Sequence, residues 1–122
     1  MIKSTQLTTT GSTEIFRATS TGDNTGTPKT MAITNIMVCN TGTPSNTDET
    51  VNSCTLTLNL LVNAAPNNVP TTANTVVKNL IIPAGETVFF SDEKIILDGN
   101  NKINATASVA NLLSITVSSL EV

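Results

Sequence analysis

The chain of 122 residues contains no histidine, no tryptophan and no tyrosine. Its aromatic side chains are Phe16, Phe89 and Phe90 and no others. Without histidine there is no Ser-His-Asp or Cys-His relay, no imidazole general base and no imidazole metal ligand. Without Trp or Tyr, the ring on which a sugar usually stacks is missing, which counts against a carbohydrate-binding module. Charge is scarce as well. Charged residues make up 12% of the chain, about half the ordinary share. Six Lys+Arg stand against nine Asp+Glu, for a net charge of −3, so the basic stripe that nucleic acid requires cannot be built. No apolar run is long enough to span a bilayer. The opening Met1-Ile2-Lys3-Ser4-Thr5 has no apolar signal-peptide core, and we expect synthesis and folding in the cytoplasm without export.

Cysteine is limited to Cys39 and Cys54. Reduced thiols buried as small apolar groups are the expectation for a cytoplasmic product. The two flank a long loop and could face each other across a strand pair, so a disulfide formed later in an oxidising medium is the alternative. Two thiols without histidine do not make a closed zinc site.

Thr and Asn are abundant. Thr stiffens χ1 and packs well on a pleated surface, whereas Asn favours turns and positive φ. Together they predict many strands joined by many turns. The expected strands are Ser4–Thr10, Thr13–Thr19, Met31–Asn40, Cys54–Asn63, Ala73–Ile82, Thr87–Phe90, Ile95–Leu97, Lys102–Val109 and Leu112–Val122. In Thr13–Thr19, Ile15 and Arg17 share one face, with Glu14 and Phe16 on the other. The cleanest alternation places Leu56, Leu58, Leu60 and Val62 inward and Thr55, Thr57 and Asn59 outward. Lys102–Val109 alternates likewise, with Ile103, Ala105, Ala107 and Val109 on one side. Alternation breaks near Asn35-Ile36-Met37-Val38, which predicts a bulge or burial on both faces. Pro83-Ala84-Gly85 is a tight turn, and Asp98-Gly99-Asn100-Asn101 carries a hairpin signal. Polar loops are expected at Thr21–Pro28, Thr41–Ser53 and Ala64–Thr72. Helical periodicity is absent except for at most one turn around Val109–Leu113.

This pattern predicts an all-β fold, an antiparallel sandwich of about eight strands, jelly-roll or Ig-like. One domain spans residues 1–122, with residues 1–10 as an N-terminal arm or edge strand. The core is modest, since a chain of this size buries about two thirds of its unfolded surface. Part of the stability is therefore expected from association with other copies.

Few residues offer chemistry. Asp48-Glu49 and Asp92-Glu93 are adjacent carboxylates in predicted turns, where solvated acids are ordinary, so glycosidase work is not expected of them. The stretch Gly22–Gly26 lacks the following Lys-Ser/Thr of a phosphate loop. Asp23 and Asn24 supply too few oxygens for calcium and read better as a turn. Asn104-Ala105-Thr106 matches a glycosylation acceptor, but without a secretory route the match is fortuitous. Phe89 and Phe90 are neighbours on a strand, which sends one ring to the core and the other to an interface. We assign no catalytic, cofactor-binding or metal residues and expect no enzyme, no cofactor, no nucleic-acid partner and no membrane.

One region carries a more specific signal. The segment Leu80-Ile81-Ile82-Pro83-Ala84-Gly85-Glu86-Thr87 is followed by Ser91-Asp92-Glu93-Lys94-Ile95-Ile96-Leu97-Asp98-Gly99-Asn100. Next comes Ile103-Asn104-Ala105-Thr106-Ala107-Ser108, and the close is Val117-Ser118-Ser119-Leu120-Glu121-Val122. This series resembles the small β-sandwich structural proteins, decoration or cement-like, of tailed bacteriophages of marine and cyanobacterial hosts. The resemblance implies a non-enzymatic virion component made in the host cytoplasm. It implies a capsid decoration protein that stabilises the head lattice, partnered by the major capsid protein or other virion proteins and assembled as a trimer. The alternatives are a neck, tail, baseplate or fibre component, or a host-surface or glycan-binding module.

Overall fold

The computed structural model describes residues 1–92 and 94–122. Nine strands form among them: β1 (Ile2–Gln6), β2 (Thr13–Arg17), β3 (Met31–Asn40), β4 (Cys54–Leu61), β5 (Thr75–Ile82), β6 (Thr87–Phe90), β7 (Ile95–Leu97), β8 (Lys102–Ala107) and β9 (Leu113–Glu121). A single 3-10 turn at Thr72–Asn74 is the one helical element among the described residues. All strand pairs are antiparallel.

Two sheets pack face to face. The five-stranded sheet has the order β1-β9-β3-β6, with β7 also paired to β3. Phe90 lies opposite Ile36 and Ile95 opposite Ile33, so β6 and β7 run along the same side of β3 as one interrupted edge strand. The four-stranded sheet has the order β2-β8-β4-β5. Only β4 and β5 are neighbours both in sequence and in a sheet; every other connection passes from one sheet to the other or links β6 to β7. That alternation is the jelly-roll arrangement, and it departs from the Ig-like one, whose consecutive strands repeatedly pair within a sheet.

The crossings explain two turns. Pro83-Ala84-Gly85 closes with Glu86 N–H donating to the Pro83 carbonyl at 3.2 Å and Gly85 at φ 79°, a value that glycine adopts without a Cβ clash. It carries the chain from β5 to β6, between sheets. The turn at Asp98–Asn101 closes at 2.9 Å, with Asn100 at φ 67°. It too passes between sheets, from β7 to β8, so the hairpin expected there does not form. Asn100 N–H donates instead to the Ala18 carbonyl, and Ala18 N–H to the Asn101 carbonyl.

The inner faces follow the alternation in most places. Leu56 and Leu58 of β4, Ile103, Ala105 and Ala107 of β8, and Ile115 and Val117 of β9 are buried in one core with Leu7, Phe16 and Ile36. Four expectations need correction. Val62 does not face inward: β4 ends at Leu61, Val62 N–H turns to the Asn67 carbonyl, and the side chain is exposed. Val109 is likewise exposed, because β8 ends at Ala107 and the chain turns toward Asn111 at φ 66°. In β2 a bulge between Glu14 and Phe16 changes parity, so Ile15 and Phe16 are both buried and Glu14 and Arg17 come together. The first strand is Ile2–Gln6 instead of Ser4–Thr10, since Thr9-Thr10-Gly11 bends away. The irregularity expected in β3 is a register shift between Ile33 and Asn35.

Cys39 lies on β3 and Cys54 on β4, in opposite sheets, and both are free thiols. They do not face each other across a strand pair. Cys54 is buried in the core and Cys39 is half-buried. At the end of β3, the fully buried Asn40 donates from Nδ2 to the Asn52 and Ile82 carbonyls at 2.8 and 2.9 Å and accepts from Gly42 N–H. This amide ties the loop 41–53 to the last residue of β5.

Candidate functional site

The acidic residues are committed locally. Asp23 Oδ1 accepts from the Thr25 hydroxyl at 2.5 Å, the Thr21 hydroxyl at 2.7 Å and the Thr25 amide at 2.9 Å. These donors hold its carboxyl well below the usual carboxylate range. The loop Gly22–Gly26 is thus organised around a carboxylate, which would repel a phosphate. Asp48 accepts from the Thr50 hydroxyl and amide, and its carboxyl is held down by the same cause. Asp92 is exposed, while Glu93 lies outside the described residues, so the pair Asp92-Glu93 has no geometry to report. Among the described residues, no group of three or more His, Cys, Asp or Glu side chains gathers to hold a metal ion. Asn104 is buried on the four-stranded sheet and donates to Ser12 Oγ at 2.9 Å.

The outer surfaces of the two sheets differ. On the five-stranded sheet, register places Ile96, Ala32 and Leu120 in one row and Phe89, Met37, Thr116 and Ser4 in another. Ile2, Asn35 and Ser118 lie between them. Among the described residues, the outward positions of these strands hold no charged side chain. Ile2, Phe89, Ile96 and Leu120 are 73%, 59%, 64% and 62% exposed. Phe90 packs against the core on the opposite side of β6 from Phe89, so the two rings separate as the sequence predicts.

On the four-stranded sheet, Arg17 donates to Glu14 at 2.6 Å, and Lys102 stands 4.0 Å from the same carboxylate. The hydrogen bond from Arg17 to Glu14 raises the guanidinium's affinity for its proton. Beside this cluster, Asn59 Nδ2 donates to the Thr71 carbonyl, Asn74 Oδ1 and Thr75 Oγ1. Those bonds draw the start of β5 and the 3-10 turn onto the sheet and bury Asn59. Leu61, two residues along, is buried outside the main core. A polar groove of about 360 Å³ remains, lined by Thr57, Thr75, Lys78, Asn79 and Thr106 among others.

Between the sheets, a cleft of about 280 Å³ opens beside β5 and the β6/β7 edge. Its lining side chains are all apolar, with Ile36, Leu58 and Ile103 as a buried floor and Val76, Phe90 and Ile95 nearer the rim. Such a cleft offers chiefly dispersion contacts.

No protein-family model, curated protein or solved structure matches the chain.

Proposed function

We propose that this protein is a non-enzymatic structural module of a bacteriophage virion, a decoration or cement protein that stabilises the head lattice. The observation that carries the reading is the outer face of the five-stranded sheet, with Ile2, Phe89, Ile96 and Leu120 in solvent and no charge among them. Apolar patches kept in solvent mark contacts with other macromolecules. Four side chains about two-thirds exposed represent about 4–8 kcal/mol of gross burial, at about 1.5–3 kcal/mol per fully buried side chain. Association itself costs about 4–15 kcal/mol. One such contact is weak, and a repeating lattice makes it effective by engaging many copies at once. The virion setting is drawn from the resemblance of the segment Leu80–Val122, which also implies partners in the major capsid protein or other virion proteins.

The test is quantitative proteomics of purified particles. A copy number comparable to that of the major capsid protein supports decoration. A small fixed number moves the protein to the neck, tail, baseplate or fibre, and absence from the particle overturns the reading. Particles assembled with Phe89→Lys and Leu120→Lys together should lose the protein while the isolated variant stays folded.

The polar groove on the four-stranded sheet favours a second reading, a host-surface or glycan-binding module on a fibre. Its hydroxyl and amide lining suits sugar hydroxyls, although no aromatic ring is present to stack on. Isolated protein that fails to bind host cells or envelope glycans would remove it.

A further inference from the structure

Every open sandwich has four strand edges, and an edge is a template for pairing with another chain unless something blocks it. Three of the four edges here are blocked. β2 is bulged between Glu14 and Phe16. β5 has two register shifts against β4, Asn79 at φ 50°, and Asn79 N–H bonded back to Thr57 Oγ1. The β6/β7 edge is split into pieces of four and three residues. β1 is different: its five residues pair with β9 in unbroken register.

The direction of the β1 backbone groups follows from the ladder. Met1 and Ser119 exchange hydrogen bonds, and Leu7 N–H donates to the Leu113 carbonyl. Antiparallel pairs alternate between bonded and non-bonded, so Lys3 and Thr5 bond to β9 while Ile2, Ser4 and Gln6 turn their N–H and C=O groups to the free edge. Among the described residues, no partner for these six groups is found, and all three residues are exposed. Nor is the edge guarded by charge. Its one charged residue, Lys3, faces the other way and donates to the Gly22 carbonyl at 3.2 Å.

We propose that β1 pairs with β1 of a second copy, antiparallel about a two-fold axis at Ser4. Ile2 then lies opposite Gln6 of the second copy, Ser4 opposite its equivalent, and Gln6 opposite Ile2. The set is self-complementary, as an isologous contact requires. Each of the three pairs exchanges two hydrogen bonds and satisfies all the free groups. No charged side chain stands opposite its own copy, which matters for a chain of net charge −3. The two five-stranded sheets become one continuous sheet, and their uncharged outer faces join on one side of the dimer. This contact adds to the structural role proposed above and does not depend on a virion setting.

The experiment is sedimentation of the full chain over a concentration series, with hydrogen exchange read residue by residue. The expected result is a monomer–dimer equilibrium in which the amides of Ile2, Ser4 and Gln6 gain protection with concentration, while Lys3 and Thr5 are protected throughout. Ser4→Pro removes an edge donor while leaving the backbone β1–β9 bonds in place, losing only the exposed contact of Ser4 Oγ with Thr116 Oγ1 at 3.0 Å, and proline is tolerated where the N–H faces solvent. Ser4→Lys sets like charges together on the axis. Each should weaken association by about tenfold or more, and salt should partly restore the lysine variant. A wild-type chain that stays monomeric to its solubility limit, or that sediments as a trimer, overturns the proposal. So does a dimer that both variants form as readily as wild type.

Discussion

On the outside of the five-stranded sheet, Phe89, Ile96 and Leu120 stand in solvent among serines and threonines. On the outside of the four-stranded sheet, Glu14, Arg17 and Lys102 form an ion cluster, and the segment before β5 closes over Asn59. The inner faces do not differ in this way, because both are lined by Leu, Ile, Val and Phe packed in one core. The four-stranded sheet satisfies part of its outer surface with groups of its own chain, a carboxylate with two cations and an amide with three acceptors, and leaves Ile81 of β5 as its large exposed apolar side chain on an outward position. The five-stranded sheet leaves Ile2, Phe89, Ile96 and Leu120 exposed on its outer surface. Stability is therefore shared between the sheets, and most of the large apolar side chains on outward strand positions that lack a partner in the chain lie on the five-stranded one.

The largest expected effect tests whether the inner faces are equivalent. Leu56→Ala and Leu58→Ala in the four-stranded sheet, and Ile115→Ala in the five-stranded one, should each cost about 2–5 kcal/mol through lost transfer and cavity formation. Chemical denaturation measures it, and a cost confined to one sheet would break the comparison. Next in size is the contrast between outer faces. Asn59→Ala removes the buried amide that donates to the Thr71 carbonyl, Asn74 Oδ1 and Thr75 Oγ1, and should cost about 1–3 kcal/mol. Phe89→Ser and Leu120→Ser should change stability by no more than about 0.5 kcal/mol, as surface substitutions do. If Phe89→Ser proves as costly as Asn59→Ala, the five-stranded face is structural after all.

A smaller effect is electrostatic. Glu14→Gln should cost about 0.2–1 kcal/mol, with the loss shrinking as salt is added; denaturation at two ionic strengths checks it. Substitutions among the uncharged outward residues of β9 should show no such salt dependence. The smallest effect belongs to the Asp23 loop, outside both faces. A carboxyl whose folded pKa is depressed contributes stability above the unfolded value of about 3.9, and this is lost as pH falls through the folded value. Thr25→Ala should move the Asp23 titration upward toward the ordinary range, as read by NMR.

Much of the fold is legible in local pattern. The bounds of β3, β6 and β7 coincide with those expected, and the alternation in Leu56–Leu60 and Ile103–Ala107 assigns their buried sides. The losses fall where a strand stops or bulges. Val62 and Val109 continue an alternating pattern past the last residue that has a ladder partner, so pattern alone extends the strand. At Ile15 and Phe16, one extra residue puts two successive apolar side chains on the core, which a period of two cannot express. The turn Asp98-Gly99-Asn100-Asn101 has hairpin chemistry because it reverses the chain, and a reversal looks the same whether the next strand joins its own sheet or the opposite one.

The exposed face was half legible. Phe89 and Phe90 must point apart because they are consecutive on a strand, and Ile95-Ile96-Leu97 on a three-residue strand must send Ile96 away from the side that Ile95 and Leu97 share. Neither fact says that Phe89, Ile96 and Leu120 come together. Phe89 and Ile96 are brought beside Leu120 only because β6 and β7 both pair with β3, which pairs with β9. The open edge at β1 is of the same kind: Ile2–Gln6 reads as a plain strand, and its freedom appears only beside three edges that are blocked.

Residue type and local pattern establish that this protein is an all-β sandwich, where most of its strands lie and which side of each is apolar, and that it has no histidine. Those properties are local, fixed by residue type and by a side-chain period of two. Only the assembled fold fixes the jelly-roll order, the separation of Cys39 from Cys54 and, among the described residues, the assembly of one face without charge and the one unguarded edge. These depend on pairings between residues far apart in the chain, such as Ile2 with Ser118. Such pairings are selected by burial of the whole core and leave no periodic signature in any one segment.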